Sequence, residues 1–233
     1  MKHSVICRGY AIRRGESSFS HAIGGVPSRE CASCPNCKLP LLLHAIIDCT
    51  DSRLNLQRLG LEQLPLLYCM RCELAYENFV YHVEKDCSID IVRYRRGHTV
   101  YEWNTEFGGD ALPEVPVTLV PIPHRVEFLF QRLNQGGEIS DEEEKEVCEF
   151  TRNFANLEVG GYPIVDVINQ FGGRSFLCQR LRDPLCIRCK REMRFLASLT
   201  NDDRESIKIT FAGVQIVFFI CVKCVTIQVQ HSV

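Results

Sequence analysis

Four Cys-x-x-Cys pairs constrain this chain more than any other feature: Cys34/Cys37, Cys69/Cys72, Cys186/Cys189 and Cys221/Cys224. Cys37 precedes Cys69 by 32 positions, and Cys189 precedes Cys221 by the same 32, so one offset of 152 superposes all eight. Lys38 then falls on Lys190 and Ala45 on Ala197, and the apolar run Leu64–Tyr68 falls on Ile216–Ile220. Agreement of this kind marks an internal duplication. A Gly-Gly-x-Pro sequence also precedes each first pair, as Gly24-Gly25-Val26-Pro27 and Gly160-Gly161-Tyr162-Pro163. These markers lie 136 apart, which puts sixteen extra residues in the second copy, among them a loop at Phe171-Gly172-Gly173-Arg174. Gly-Gly-x-Pro reads as a turn, with Gly supplying positive φ and Pro fixing φ. No Walker lysine follows to make it a phosphate cradle.

Two cysteines separated by two residues can wrap a tight turn around one ion. Two such turns supply four thiolates, the tetrahedral set that zinc prefers. The sequence therefore predicts two zinc ions, one held by Cys34, Cys37, Cys69 and Cys72, the other by Cys186, Cys189, Cys221 and Cys224. The gap between pairs exceeds the roughly 15–20 residues of compact ribbons, so strands are expected inside it. Ile207, Ile209 and Phe211 alternate, Gly213 offers a turn, and a strand from Val214 to Ile220 delivers Cys221. After Cys224, Val225, Ile227 and Val229 alternate with polar residues as in a half-buried strand. A redox Cys-x-x-Cys normally occurs once, at a strand-to-helix junction, and not as matched double pairs. Cys31, Cys34 and Cys37 begin a ferredoxin-like run, but Leu41 stands where its fourth cysteine would be. Cysteines 7, 31, 49, 87, 148 and 178 have no counterpart in the other repeat and read as core residues.

Fourteen cysteines in 233 residues suit a secreted disulfide scaffold or an intracellular metal protein. The N-terminus offers only Val5-Ile6-Cys7 before Arg8, too short for a signal h-region, so a cytoplasmic metal protein is expected. The most apolar run, Val214 to Val222, contains Gln215 and is too short to span a bilayer. Eight thiolates and two divalent ions would change the formal charge by −4, taking −2 to −6. That argues against nucleic acid, which needs a basic surface. With 45% hydrophobic and 24% charged residues the chain is expected to fold.

Ser140-Asp141-Glu142-Glu143 has the pattern of a capping box. Val147, Phe150, Phe154 and Leu157 follow at helical spacing, which predicts a helix over about 141–157. Pro113, Pro116, Pro121 and Pro123 punctuate Val117–Val120, which reads as an edge strand. The expected organisation is a first repeat over 1–123, a connection with an amphipathic helix over 124–158, and a second repeat over 159–233. The expected fold is mainly β with one or two helices, its two zinc-ribbon-like halves packed as one unit.

The two markers, Cys34-Pro35-Asn36-Cys37-Lys38-Leu39-Pro40-Leu41 and the segment from Cys186 to Leu196 resemble the YwqG-like family of bacterial proteins. A more distant likeness, through Met193-Arg194-Phe195-Leu196, is to the programmed cell death protein 2 family. The first implies a mostly β architecture of two similar halves. The second implies a binding or dedicated-chaperone role towards a ribosomal protein. The chain departs from both in lacking a tryptophan after the marker proline; its single tryptophan is Trp103.

Closed four-cysteine sites leave no open position for a substrate. No Gly-x-Ser-x-Gly, Walker or dinucleotide motif is present, and no His-Glu-x-x-His pair. The leading expectation is a non-enzymatic protein-binding module, chaperone-like in role. A bacterial immunity protein that neutralises a toxin and an enzyme of another class are the alternatives.

Overall fold

A computed structural model describes residues 8–27, 32–72, 79–94, 96, 111–152, 158–159, 162–163, 168–177, 181, 183–202, 207–210 and 214–232. Apolar alternation becomes strands β1 (Tyr10–Arg14), β2 (Ala22–Gly25), β3 (Leu42–Asp48), β4 (Gln63–Tyr68), β5 (Phe79–Val83), β6 (Ile89–Arg93) and β7 (Leu112–Pro121). Helices α1 (His124–Asn134) and α2 (Asp141–Arg152) come next, then β8 (Glu158–Val159), β9 (Tyr162–Pro163), β10 (Gln170–Phe171), β11 (Arg194–Leu199), β12 (Gln215–Cys221) and β13 (Thr226–Ser232). Eleven of these strands form one antiparallel sheet in the order β4-β3-β2-β7-β1-β10-β11-β12-β13-β5-β6, and β8 pairs with β9 apart from it. The fold is mainly β with two helices, and its halves are alike.

The duplication extends to backbone register. Leu42, Leu43, Ala45, Ile46 and Ile47 face Tyr68, Leu67, Leu66, Pro65 and Leu64 across β3/β4. Adding 152 to each number reproduces the β11/β12 pairing, and the bulge falls between Leu43 and Ala45 in one copy and between Phe195 and Ala197 in the other. Ile23 faces Ala45, and Phe171 faces Ala197. The counterpart of Gly24-Gly25 is therefore Gly172-Gly173, an offset of 148, and not Gly160-Gly161, which lie outside the described residues. All four of these glycines have positive φ. A Cβ on Gly24 would come within 2.0 Å of the Pro113 carbonyl, and one on Gly173 within 1.9 Å of the Glu127 carboxylate. Close approach, and not the following proline, is what the pair provides.

The two halves exchange strands. β7 is the two-fold counterpart of β1 and so opens the second half: β1 lies beside β10 of the second half, and β7 lies beside β2 of the first. Between them the Arg13/Thr118 pair marks a local two-fold axis. The Ile12 amide donates to the Asn169 carbonyl, and on the other side of the axis the Val117 amide donates to the His21 carbonyl. β7 is thus central in the sheet and not an edge strand. β2 covers its residues 112–116 and β1 its residues 117–121, so Pro113 and Pro121 sit in stretches paired on one side, where a missing N–H is tolerated, and Pro116 sits at the changeover, where its carbonyl accepts from the Gly15 amide.

The sheet curls until its ends meet. The Tyr81 hydroxyl of β5 accepts from the Leu67 amide at 2.9 Å and donates to the Pro65 carbonyl at 3.1 Å, which satisfies the outer edge of β4. The main core runs through this curl and takes in Ile23, Leu43, Tyr68, Phe79, Phe171, Phe218 and Ile227. The helices form a smaller cluster with Val126, Leu129, Phe130 and Val147, against which Phe150 packs. α2 starts at the expected capping box: the Glu143 amide donates to Ser140 Oγ at 3.3 Å, and the Ser140 amide donates to the Glu143 carboxylate at 3.0 Å. Phe154 and Leu157 lie outside the described residues. Ile207 and Ile209 are buried but form no strand; Ile207 makes a single bridge to Asp202. The Asn201 side chain instead accepts from the Ile209 and Thr210 amides. Phe211 and Gly213 fall outside the described residues.

Candidate metal centres

Each cluster is assembled by a hairpin and a knuckle. In the first half the Cys34 carbonyl accepts from the Lys38 amide at 2.9 Å and the Cys34 amide donates to the Leu39 carbonyl at 2.7 Å. The same two bonds join Cys186 to Lys190 and to Arg191 at 2.8 Å. Lys38 and Lys190 adopt the left-handed conformation, φ 63° and 61°, which turns the chain back after the second cysteine. The second pair of each set stands at the end of β4 or β12, where the Cys72 amide donates to the Cys69 carbonyl and the Cys224 amide to the Cys221 carbonyl.

Cys34, Cys37, Cys69 and Cys72 bring their sulfurs within 4.8 Å of one another, and so do Cys186, Cys189, Cys221 and Cys224. The Cys37 and Cys69 sulfurs are 3.8 Å apart, and those of Cys189 and Cys221 are 3.5 Å apart. A disulfide needs about 2.05 Å. A tetrahedral ion with Zn–S of about 2.3 Å sets sulfurs about 3.8 Å apart. All eight sequence-predicted ligands converge, in two groups that could each hold a metal ion.

The electrostatics fit a cation. Hydrogen bonds from Cys69 and Cys72 and from the backbone of Cys37 and Asn36 pull the Cys34 thiol down to about 2, against desolvation. Its charge then pushes Cys72 up to about 12, chiefly because Cys72 donates a hydrogen bond to Cys34. In the second set the Arg191 backbone amide lowers Cys189 to about 7, while burial raises Cys221 to about 12. One thiolate per set forms readily and opposes the next. A divalent ion removes that opposition and holds all four as thiolates.

Cys49 and Cys148 are buried outside both sets, and burial raises both thiols. Cys87 is half-buried, with its sulfur 3.7 Å from the Gln63 carbonyl. Cys7, Cys31 and Cys178 lie outside the described residues, as does Trp103. Sequence reading passed over a buried polar group in the first half, at the end of the β3/β4 hairpin opposite the first set. His21 Nδ1 accepts from the Asp48 amide at 3.1 Å, so its Nε2 carries the proton to Asp51, 3.1 Å away. Arg53 closes this network on Asp51 at 2.7 Å. It resembles a catalytic dyad, but the second half shows what it does. Asn169 occupies the equivalent place and accepts from the Thr200 amide at 2.8 Å. Both side chains satisfy the backbone where β3 and β11 end.

No helix among the described residues is long and apolar enough to cross a membrane. Comparison with protein-family profiles, with curated proteins and with solved structures gave no match.

Proposed function

We propose that this chain is a zinc-stabilised, non-enzymatic protein-binding module of the cytoplasm. The observation that carries the reading is the closure of both cysteine sets, each with four sulfurs turned towards one centre. Four thiolates complete a tetrahedral zinc and leave it no open position for substrate or water, as in structural sites. The ions would act as clamps. Each joins a knuckle to the end of a hairpin and neutralises buried thiolate charge. A reducing compartment suits eight free thiolates. The likeness to the programmed cell death protein 2 family favours a chaperone-like partner relationship over signalling or catalysis.

Elemental analysis of the purified chain should return two zinc per molecule. No metal, or iron with its visible absorption band, overturns the metal reading. A pull-down from native lysate, with the chain as bait, should return one stoichiometric protein. Recovery of RNA or DNA instead overturns the partner class.

A further inference from the structure

Beside the second cysteine set lies a cleft of about 670 Å³ between the end of α1, the knuckle and the end of β12. Five cations line it: Arg58, Arg174, Arg191, Arg194 and Lys223. Among the described residues none of the five makes an ion pair. Its floor is apolar, with the half-buried Leu177, Leu181, Phe195 and Val222 laid over the buried Met193 and Phe219. Hydrogen bonds hold its walls in place. Asn134 of α1 donates to the Ser175 carbonyl at 2.6 Å and accepts from the Leu177 amide at 3.0 Å, and Gln215 donates to the Phe176 carbonyl at 3.0 Å.

The duplication provides an internal control for this surface. At the offsets fixed by register, Arg174, Arg191 and Arg194 correspond to Val26, Leu39 and Leu42. Lys223 corresponds to Arg71, which is only 4% exposed, and Leu42 is 1% exposed. The cysteines, the bulge and the buried amide acceptor are kept in both copies. These wall positions are not: three apolar residues in one half are arginines in the other, and Lys223 is exposed. Burial in the core accounts for Leu42 and Arg71, but Val26 and Leu39 are 73% and 42% exposed, so packing does not explain why Arg174 and Arg191 stand in their places.

Resting on the protein-binding reading, we propose that this cleft binds an acidic peptide segment of the partner. Separated cations around an apolar floor match carboxylates spaced along a chain with apolar side chains between them. Asp183 and Glu192 share the lining. They oppose the dense, evenly spaced charge of a nucleic-acid backbone but can be avoided by a peptide with chosen spacing.

The test uses the full zinc-loaded chain and a fluorescein-labelled twelve-residue peptide of alternating Glu and Leu. Fluorescence anisotropy should show saturable binding that weakens with added salt. The pair Arg191→Glu and Arg194→Glu should weaken it tenfold or more. The pair Lys85→Glu and Arg93→Glu, exposed and outside the cleft, should leave it within twofold. If the first pair loses zinc or melts early, Arg58→Glu with Lys223→Glu takes its place, since both are exposed. No binding, equal loss with the control pair, or tighter binding of a twelve-nucleotide single strand that the acidic peptide cannot displace overturns the proposal. A lysate partner that is retained equally by the cleft variants would sink this site while leaving the protein-binding reading standing.

Discussion

The two cysteine sets share their spacing, knuckle bonds and hairpin register, yet they sit in different surroundings. Cys34, Cys69 and Cys72 belong to the main core, together with Tyr68, Phe79 and Tyr81. Cys186 and Cys221 belong to a small separate cluster with Met193, Val217 and Phe219. The cause lies in the strand that comes after each hairpin. β12 continues through its turn into β13 and pairs with it, so its outer edge is filled locally. Among the described residues β4 has no such partner, and β5 is used elsewhere, pairing with β13. What β4 receives is the Tyr81 side chain and the ring of Phe79, 6.1 Å from Tyr68. One local motif therefore serves as the keystone of the core in one half and as a peripheral clamp beside an open cleft in the other.

If strand exchange makes one unit of the two halves, neither should fold alone. Residues 159–233 expressed by themselves lack β1, the neighbour of β10, and β5, the neighbour of β13. The fragment should bind zinc but aggregate or lack near-UV circular dichroism, because a few-stranded sheet cannot bury both faces. A soluble monomeric fragment with a sharp thermal transition would show that the halves are independent.

Next in size is the contrast between the clamps. Cys69→Ala and Cys221→Ala should each remove one zinc per chain. Structural zinc contributes roughly 10–16 kcal/mol in isolated finger peptides, so both losses should be severe. Cys69→Ala should abolish cooperative unfolding of the whole chain, whereas Cys221→Ala should leave a transition with most of the near-UV signal. Equal damage would mean that the difference in packing carries no weight. Smaller again is the glycine pair. Gly24→Ala and Gly173→Ala place a Cβ against fixed atoms and should cost about 3 kcal/mol or more, read from denaturant midpoints. Gly60→Ala, also at positive φ but in open space, should cost about 1 kcal/mol. Three similar costs would show that φ alone sets the requirement.

The sequence was most readable where physics is local. Cysteine spacing, the capping box at Ser140 and the strand running into Cys221 each depend on residues a few positions apart. α1 was readable too, since Val126, Leu129 and Phe130 recur at helical spacing between Pro123 and Gly136. The prolines before it drew attention to an extended reading instead. The marker was matched by its proline, although its work is done by glycines at positive φ, which Phe171-Gly172-Gly173 supplies without one. Ile207 and Ile209 alternate like a strand but are held by Asn201, a choice that periodicity does not report. The exchange of β1, β5 and β7 was not legible, because it joins segments about a hundred or more residues apart through backbone pairing that leaves no sequence pattern.

The finest contrast lies at the shared bulge, where the first half has His44 and the second has Leu196. His44 is fully buried and neither ring nitrogen makes a normal hydrogen bond. Burial, with His231 nearby, pushes its pKa down to about 3, offset only in part by the Tyr68 backbone. Burial pushes His231 down to about 4. Both groups are harder to protonate in the folded chain than at their ordinary 6.5 in the unfolded one. The unfolded state then binds more protons below pH 6.5, so stability falls as pH drops from there towards 4, by up to about 1.4 kcal/mol per pH unit for each group. His44→Leu copies the second half into the first. It should be neutral to stabilising by about 1 kcal/mol at pH 7.5, since it removes an unsatisfied buried imidazole. At pH 5.5 its advantage should be larger by about 1 kcal/mol. Zinc loss in acid affects both proteins alike, so the difference between their urea midpoints at the two pH values is the quantity to measure. An advantage that does not grow as pH falls would mean that His44 is protonated, or paired, in the native core. The two halves would then differ at this position in shape alone.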